Sequence, residues 1–285
     1  THATPGNRAG PPLEGAWGAQ LTSNPGFWAA PSAGSFTKKT IVAGTDVEAT
    51  LCFKCHSSYY GTLPNSPSGG YQETDTAREF NPNNVGDWVS PWSSGETAGS
   101  FHPVLASAGG NLGATSNIKS PWTRTSLMTC SDCHESNSTA DPNGPHGSTA
   151  GFMLKGPNTL WSASLASTSA GMPNGTFCIN CHNQDFTDSR FSGEKSHTYE
   201  KHRSFDGQPI YCFNCHSAIP HGTARPGLLV TPRSQSEGGL LLTDASPYLR
   251  LPAGNSGLQI NSYPNNNTSN WSKSNCECGN DSWNH

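Results

Sequence analysis

The stretch CFNCHSAIPHG, residues 212–222, places two cysteines and two histidines within one short run of the chain. Its first half, Cys-x-x-Cys-His, occurs at three other positions, so that eight of the ten cysteines belong to copies of one motif. The four copies are Cys52/Cys55/His56, Cys130/Cys133/His134, Cys178/Cys181/His182 and Cys212/Cys215/His216. One interpretation must therefore account for all four copies.

The motif is typical of covalent haem c attachment. Two thiols three positions apart lie on the same side of a helical turn, where each can add to a vinyl group of one porphyrin. The next residue then directs its imidazole at the iron. The motifs predict four covalently bound haem c groups, with His56, His134, His182 and His216 as proximal iron ligands. Zinc and a disulfide scaffold are disfavoured, because a zinc site needs four ligands and does not require a histidine directly after the second cysteine.

Each iron also needs a sixth ligand or an open position. The chain has 3 methionines and 11 histidines, so methionine cannot complete four centres, whereas histidine can. We therefore expect bis-histidine ligation, which suits a low-potential electron carrier because an axial methionine raises the potential. The predicted distal ligands are His102, His146, His202 (or His197) and His221, with His2 as a ligand donated to a neighbouring subunit.

The position of His221 indicates which iron it ligates. It follows His216 by five residues, with a proline between them, and so it is poorly placed to reach the far face of the same haem. We expect His221 to ligate the iron of a neighbouring motif.

The composition agrees with a large bound cofactor. Only 32% of the residues are hydrophobic, and the chain contains 31 glycines and 22 prolines, so a core made of side chains alone would be thin. Helical periodicity is weak and the intervening loops are long. The aromatic residues near the motifs are expected to pack on porphyrin: Tyr59, Tyr60, Trp122, Trp161 and Tyr211. Short helices are predicted at 49–58, 127–135, 176–183 and 210–217 and near 194–203, with weak strands at 39–42 and 228–231.

The predicted fold is mostly irregular, with short α-helices, and wraps around four haems. Residues 1–227 form the predicted tetrahaem domain, and residues 228–285 a haem-free tail packed on the same body or, alternatively, a separate subdomain. The tail contains Cys276 and Cys278. A bond between them would close a small, strained ring, so pairing across subunits is an equal alternative.

Charge and hydropathy limit the partners. A net charge of −4 and a pI near 6.2 give no reason to expect nucleic acid or an anionic membrane as a partner. No apolar run approaches the roughly 20 residues that span a bilayer. The chain starts at Thr1 and reads as a processed, exported protein, which is expected outside the cell or at its surface, or alternatively in the periplasm.

The FHPV stretch around His102 and the run CFNCHSAIPHGTARPGLL resemble multihaem c-type cytochromes of metal-reducing prokaryotes. Over residues 45–230 the sequence is most similar to four-haem cytochromes that polymerise into extracellular nanowires. The resemblance implies a continuous haem stack, a head-to-tail homopolymer with a histidine–haem bond between subunits, and electron exchange with extracellular acceptors or donor cytochromes. Long-range electron transfer is therefore the expected function, without enzymatic activity.

Two alternatives stay open. A monomeric periplasmic electron shuttle would contain the same haems without the polymer. A multihaem reductase would need an iron with an open or unusual axial position, whereas the chain has enough histidines to close all four irons and no Cys-x-x-Cys-Lys variant.

The motifs predict four haems per chain. A pyridine haemochrome assay on purified protein of known concentration should give this stoichiometry, because each Cys-x-x-Cys-His copy attaches one porphyrin. A clearly smaller number would contradict the interpretation of the motifs.

Overall fold

The computed structural model describes the chain in segments. Side chains and backbone are described for residues 6–61, 75–84, 99–107, 118–123, 125–138, 140, 144–160, 175–182, 216–217, 220–224 and 228, and the backbone also for 204–205, 208–209, 236–237 and 240–241.

An antiparallel hairpin packed on a helix forms the best-defined unit. Strands β1 (Trp17–Leu21) and β2 (Phe36–Thr40) pair in register from Trp17 opposite Thr40 to Leu21 opposite Phe36. Helix α1 (Ala49–His56) lies close to β1. The distance is so short that a Cβ atom on Gly18 would lie 2.3 Å from the Thr50 carbonyl oxygen. The absence of a side chain at Gly18 is what allows this close approach.

Helix α1 buries one face in the core and places the cysteines of the first motif on its other side. Ala49, Thr50 and Phe53 are buried on one face, whereas Cys52 is half-buried and Cys55 is exposed. The helix therefore holds the two cysteines of this motif toward its less buried side. It ends at His56, after which Ser57 is extended and its hydroxyl donates to the Phe53 carbonyl at 2.6 Å.

Helix α2 (Thr76–Glu79) is short and strongly capped. The Asp75 carboxylate accepts from the backbone N–H groups of Ala77 at 3.0 Å and Arg78 at 3.2 Å. The same carboxylate accepts from the Ser58 N–H at 3.0 Å, and the Thr76 hydroxyl donates to the His56 carbonyl. These bonds fix α2 against the C-terminal end of α1.

The other strand pairs are short and antiparallel. Strand β3 pairs with β6, β4 with β5 and β7 with β8. Their bounds are Ser100–Phe101 for β3, Ser204–Phe205 for β4, Gln208–Pro209 for β5, Gly222–Thr223 for β6, Ser236–Glu237 for β7 and Leu240–Leu241 for β8. Single 3-10 turns occupy Pro11–Leu13, Ala33–Ser35, Ser58–Tyr60, Pro82–Asn84, Cys130–Asp132, Gly151–Met153 and Phe177–Asn180.

The hydrophobic core of the described residues consists mainly of alanine and phenylalanine side chains. Its buried members are Ala19, Phe36, Ala49, Phe53, Ala77, Phe80, Phe101, Val104 and Met128. The motif cysteines Cys130 and Cys133 pack against its edge. The aliphatic-poor composition is thus matched by a core that extends to the motifs.

The predicted elements compare unevenly with the structure. The helix predicted at 49–58 is confirmed as α1, and the strand at 39–42 overlaps the end of β2. The helices predicted at 127–135 and 176–183 are single 3-10 turns at Cys130–Asp132 and Phe177–Asn180. The helix near 194–203 and most of the one at 210–217 lie outside the described residues.

The strand predicted at 228–231 is wrong at Leu228, the one residue of that range within the described set. Leu228 has a φ of 56°, a left-handed conformation that cannot continue a strand. Its N–H donates to the Ser100 hydroxyl at 2.6 Å and its carbonyl accepts from the Ser217 N–H at 2.8 Å. Of the predicted tail, 228–285, only Leu228 and the backbone of β7 and β8 are described, so the tail's packing stays a prediction.

Among the described residues, no helix has both the length and the apolar character that crossing a membrane requires.

Because β1 and α1 are in close contact at Gly18, a methyl group added there should lower the stability more than one added at Gly26. Gly18→Ala should destabilise the protein by about 1–3 kcal/mol, because overpacking at a close backbone contact forces the elements apart. Gly26→Ala is the matched control, since a Cβ there meets nothing within 4 Å. Denaturant unfolding of both variants measures the difference, and equal stability of the two would contradict the close approach.

Candidate functional site

The second and third motifs form the same backbone turn. Cys133 N–H donates to the Cys130 carbonyl at 3.2 Å and His134 N–H to the same carbonyl at 2.9 Å. The third motif repeats these bonds, from Cys181 at 3.2 Å and His182 at 2.9 Å to the Cys178 carbonyl. Together with α1, three of the four motifs therefore have the helical turn that the spacing predicts.

Neighbouring segments hold these turns in place. Residues Ile118 and His182 form an isolated β-bridge, as do His134 and Leu154. In the second motif, Thr129 begins a capping box in which its N–H donates to the Asp132 carboxylate at 2.7 Å. The motif histidines therefore leave their turns in fixed directions.

Three motif histidines each lie beside one predicted distal histidine. The ring centres of His56 and His146 are 6.1 Å apart. Those of His134 and His221 are 6.0 Å apart, and those of His182 and His102 are 6.3 Å apart. We call these the first, second and third imidazole pairs.

The separation within each pair fits two axial ligands of one iron. Metal–imidazole bonds are about 2.0 Å long and a ring nitrogen lies about 1.1 Å from the ring centre, so two imidazoles on opposite sides of one metal have centres about 6 Å apart. A pair supplies two ligands, and a porphyrin iron requires two beyond its four pyrrole nitrogens. The three pairs therefore fit the haem that the motifs predict.

Hydrogen bonds to Nδ1 orient several of these rings. His134 Nδ1 lies 2.8 Å from the Phe152 carbonyl oxygen, and His102 Nδ1 contacts the Pro220 carbonyl oxygen. His221 Nδ1 lies 2.9 Å from a carboxylate oxygen of Glu79. Each acceptor favours the tautomer with its proton on Nδ1, which leaves the Nε2 lone pair for a metal.

The acceptor of the His134 bond is held in a strained conformation. Phe152 and Met153 are left-handed, with φ of 58° and 55°. Such positions cost about 1–3 kcal/mol each and cluster at functional sites. The strain directs the Phe152 carbonyl at the proximal ring of the second pair.

Burial favours the neutral form of three of the paired imidazoles, those of His102, His134 and His182. Desolvation lowers the pKa of His134 to about 4 and that of His182 to about 4, with smaller contributions from neighbouring histidines. Desolvation also lowers the pKa of His102, against the opposing effect of the Pro220 carbonyl. Because a metal ligand must be deprotonated, these groups are ready to bind metal at neutral pH.

The pairs are neighbours of one another. His102 and His221, from different pairs, follow β3 and precede β6, and the His102 N–H donates to the His221 carbonyl at 2.9 Å. The charges of His56 and His146 act on the pKa of His134. The second pair therefore lies near both of the others.

A buried carboxylate joins the first two motifs. Glu48, directly before α1, accepts from the Ser131 N–H at 2.9 Å and the Ser131 hydroxyl at 2.8 Å, inside the second motif. Cys52 and Cys130, one from each motif, are in hydrogen-bonding contact, and this contact and burial raise the pKa of the Cys130 thiol. Burial also raises the pKa of Cys133 to about 12. The side chains of the two motifs thus meet directly.

Among the described residues, no three His, Cys, Asp or Glu side chains form a group that could hold a metal ion by themselves. None of the six motif cysteines described is in a disulfide.

Several predicted site residues lie outside the described residues. They are His2, Cys212, Cys215, His197 and His202, together with Trp161, Tyr211, Cys276 and Cys278. His216 is described, and its charge acts on the pKa of His182, which places the fourth motif near the third pair. Tyr59 and Trp122 pack against the core and Tyr60 is 62% exposed, so their packing on porphyrin stays a prediction.

No local sequence signal marks Glu79, Glu48 or the carbonyls of Phe152 and Pro220. Each contacts its histidine or motif from elsewhere in the chain, across 142 residues in the case of Glu79 and His221.

No family model matches the chain, and neither a similar curated protein nor a similar solved structure was found.

Proposed function

We propose that this protein transfers electrons through four covalently bound haem c groups with bis-histidine ligation. The observation that carries the proposal is the recurrence of one geometry, in which three Cys-x-x-Cys-His histidines each have a second imidazole 6.0–6.3 Å away. Three repeats of the same motif-to-partner distance favour a single repeated cofactor.

The proposal assigns ligands to the motifs. His146 serves the iron of the first motif, His221 that of the second and His102 that of the third. On this assignment His221 serves a different iron from His216, its neighbour in sequence. The sixth ligand of the fourth iron is assigned to His202, His197 or the partner-donated His2.

The side chains and carbonyls of the protein would hold the haem and orient its ligands. The motif cysteines would attach the porphyrin and the paired imidazoles would bind its iron, while the carbonyls of Phe152 and Pro220 orient the rings of His134 and His102. Bound haem supplies the one-electron chemistry that no side chain of the protein provides. The hydrogen bond between the backbones of His102 and His221 keeps two ligand sets adjacent, as electron transfer between neighbouring centres requires.

The same geometry disfavours a reductase. A haem enzyme of that kind needs an axial position open to substrate, whereas in each of the three described pairs a second imidazole already faces the motif histidine. Electron transfer needs no such position.

We further propose that the protein works as the repeating subunit of an extracellular filament, with His2 as the ligand passed between subunits. The resemblance to filament-forming tetrahaem cytochromes and the low net charge of −4, which limits repulsion between copies, support this assembly. A monomeric periplasmic shuttle is the alternative.

His146→Ala tests the first imidazole pair. His146 is exposed in a loop, so the variant should fold, while losing the stability that ligation of the first iron by this loop would contribute. One of the four ferric haems should lose its sixth ligand and become high-spin, and added imidazole should restore the low-spin spectrum. Electron paramagnetic resonance and visible spectroscopy measure the change.

Thr149→Ala is the control for this variant, because Thr149 is exposed in the same loop and bonds Asn137. It should retain the fully low-spin spectrum of wild type. A His146→Ala protein that stays fully low-spin without added imidazole would contradict the His56–His146 assignment.

Assembly is tested separately. Negative-stain imaging of the purified, haem-loaded protein at high concentration should show filaments, which a His2→Ala variant should fail to form while keeping its haem content. A uniformly monomeric wild-type sample would favour the shuttle.

A further inference from the structure

One imidazole pair differs from the others in its hydrogen bonding. The Nδ1 contacts of His134 and His102 go to neutral backbone carbonyls, whereas that of His221 goes to the carboxylate of Glu79 at 2.9 Å. The Glu79 side chain is fully buried, with 0% exposure. This is a buried acid in direct contact with a predicted iron ligand.

The fold builds this contact from two elements that are distant in sequence. Glu79 ends α2, and the next residue, Phe80, packs on the His221 ring with centres 5.0 Å apart. Gly222 follows His221 and opens β6, where an added Cβ would lie 2.1 Å from the Glu79 carbonyl oxygen. Glycine at 222 therefore lets β6 pack against α2 and bring the imidazole to the carboxylate.

We propose that Glu79 is a positioning residue that lowers the reduction potential of the haem held by His134 and His221. The inference rests on the proposed function and adds a property of one specific centre. By accepting the Nδ1 proton in a hydrogen bond, the carboxylate makes His221 a stronger donor to iron. A stronger donor and a nearby negative charge both stabilise the ferric over the ferrous state, and hydrogen bonding around a ligand is a recognised means of setting haem potential.

The position of this pair gives the effect a consequence for electron flow. The second pair lies near both the first and the third, through the charges that reach His134 and the backbone bond between His221 and His102. The haem of the second pair would then have a lower reduction potential than it would without Glu79, next to the haems of the first and third pairs. The reduction potentials along the three haems would therefore differ.

Glu79→Gln in the haem-loaded full chain tests the inference. The amide keeps the size of the side chain and can still accept a hydrogen bond, but it removes the charge. A spectroelectrochemical titration at fixed pH should show one component, about a quarter of the haem absorbance of a protein with four motifs, moving to higher potential. We expect about a tenfold change in the ratio of oxidised to reduced haem at a fixed potential, which is about 59 mV for a one-electron couple.

Asp46→Asn is the control. Asp46 is also a buried acid, with 7% exposure, but its carboxylate pairs with Lys39 at 2.6 Å and accepts from the Val42 N–H at 2.8 Å. This variant also loses one carboxylate charge and should leave the titration curve close to that of wild type. A Glu79→Gln curve that matches the Asp46→Asn curve would overturn the inference while leaving the proposed function intact.

Failure of the proposed function has a different signature. A wild-type protein without bound haem would overturn both the function and the inference. If Glu79→Gln does not load four haems, Glu79→Asp is the second test, because it keeps the charge but shortens the reach to His221. The reduction potential of one haem component should then rise by a smaller amount, and an unchanged titration curve would contradict the role of Glu79.

Discussion

The separation of about 6 Å between two imidazoles is the constraint on which the described structure depends. It recurs in three pairs, whose members come from distant parts of the chain. The core of the described residues, mainly alanine and phenylalanine, gains little from burial that could offset the entropic cost of closing such long loops. Ligation of one iron by both members of a pair would clip the loops together, so that cofactor binding becomes folding free energy.

The small elements of the fold position these pairs. Helix α1 and two 3-10 turns position the cysteines and histidines of three motifs, and the two-residue strands β3 and β6 bring His102 and His221 together. Gly18 and Gly222 permit the close backbone contacts that this arrangement needs. Among the described residues, secondary structure therefore serves mainly to position the motif histidines and their partners.

The sequence predicted which histidines lie in the pairs better than it predicted how they are paired. The motif spacing and the Pro- or Gly-flanked histidines identified both members of each pair, because these features are local. Which distal histidine joins which motif could not be predicted, since it depends on packing between distant segments. Glu79 could not be predicted for the same reason. The strand predicted at Leu228 is wrong because this residue has a left-handed backbone and bonds to Ser100 and Ser217, contacts that no local pattern indicates.

An experimental structure of the haem-loaded protein, by cryo-electron microscopy or crystallography, tests the central claim most directly. The account predicts that an iron lies between the imidazoles of each pair, with His221 on the iron of the second motif and His102 on that of the third. An iron held by both His216 and His221, or a pair with no iron between its rings, would contradict it.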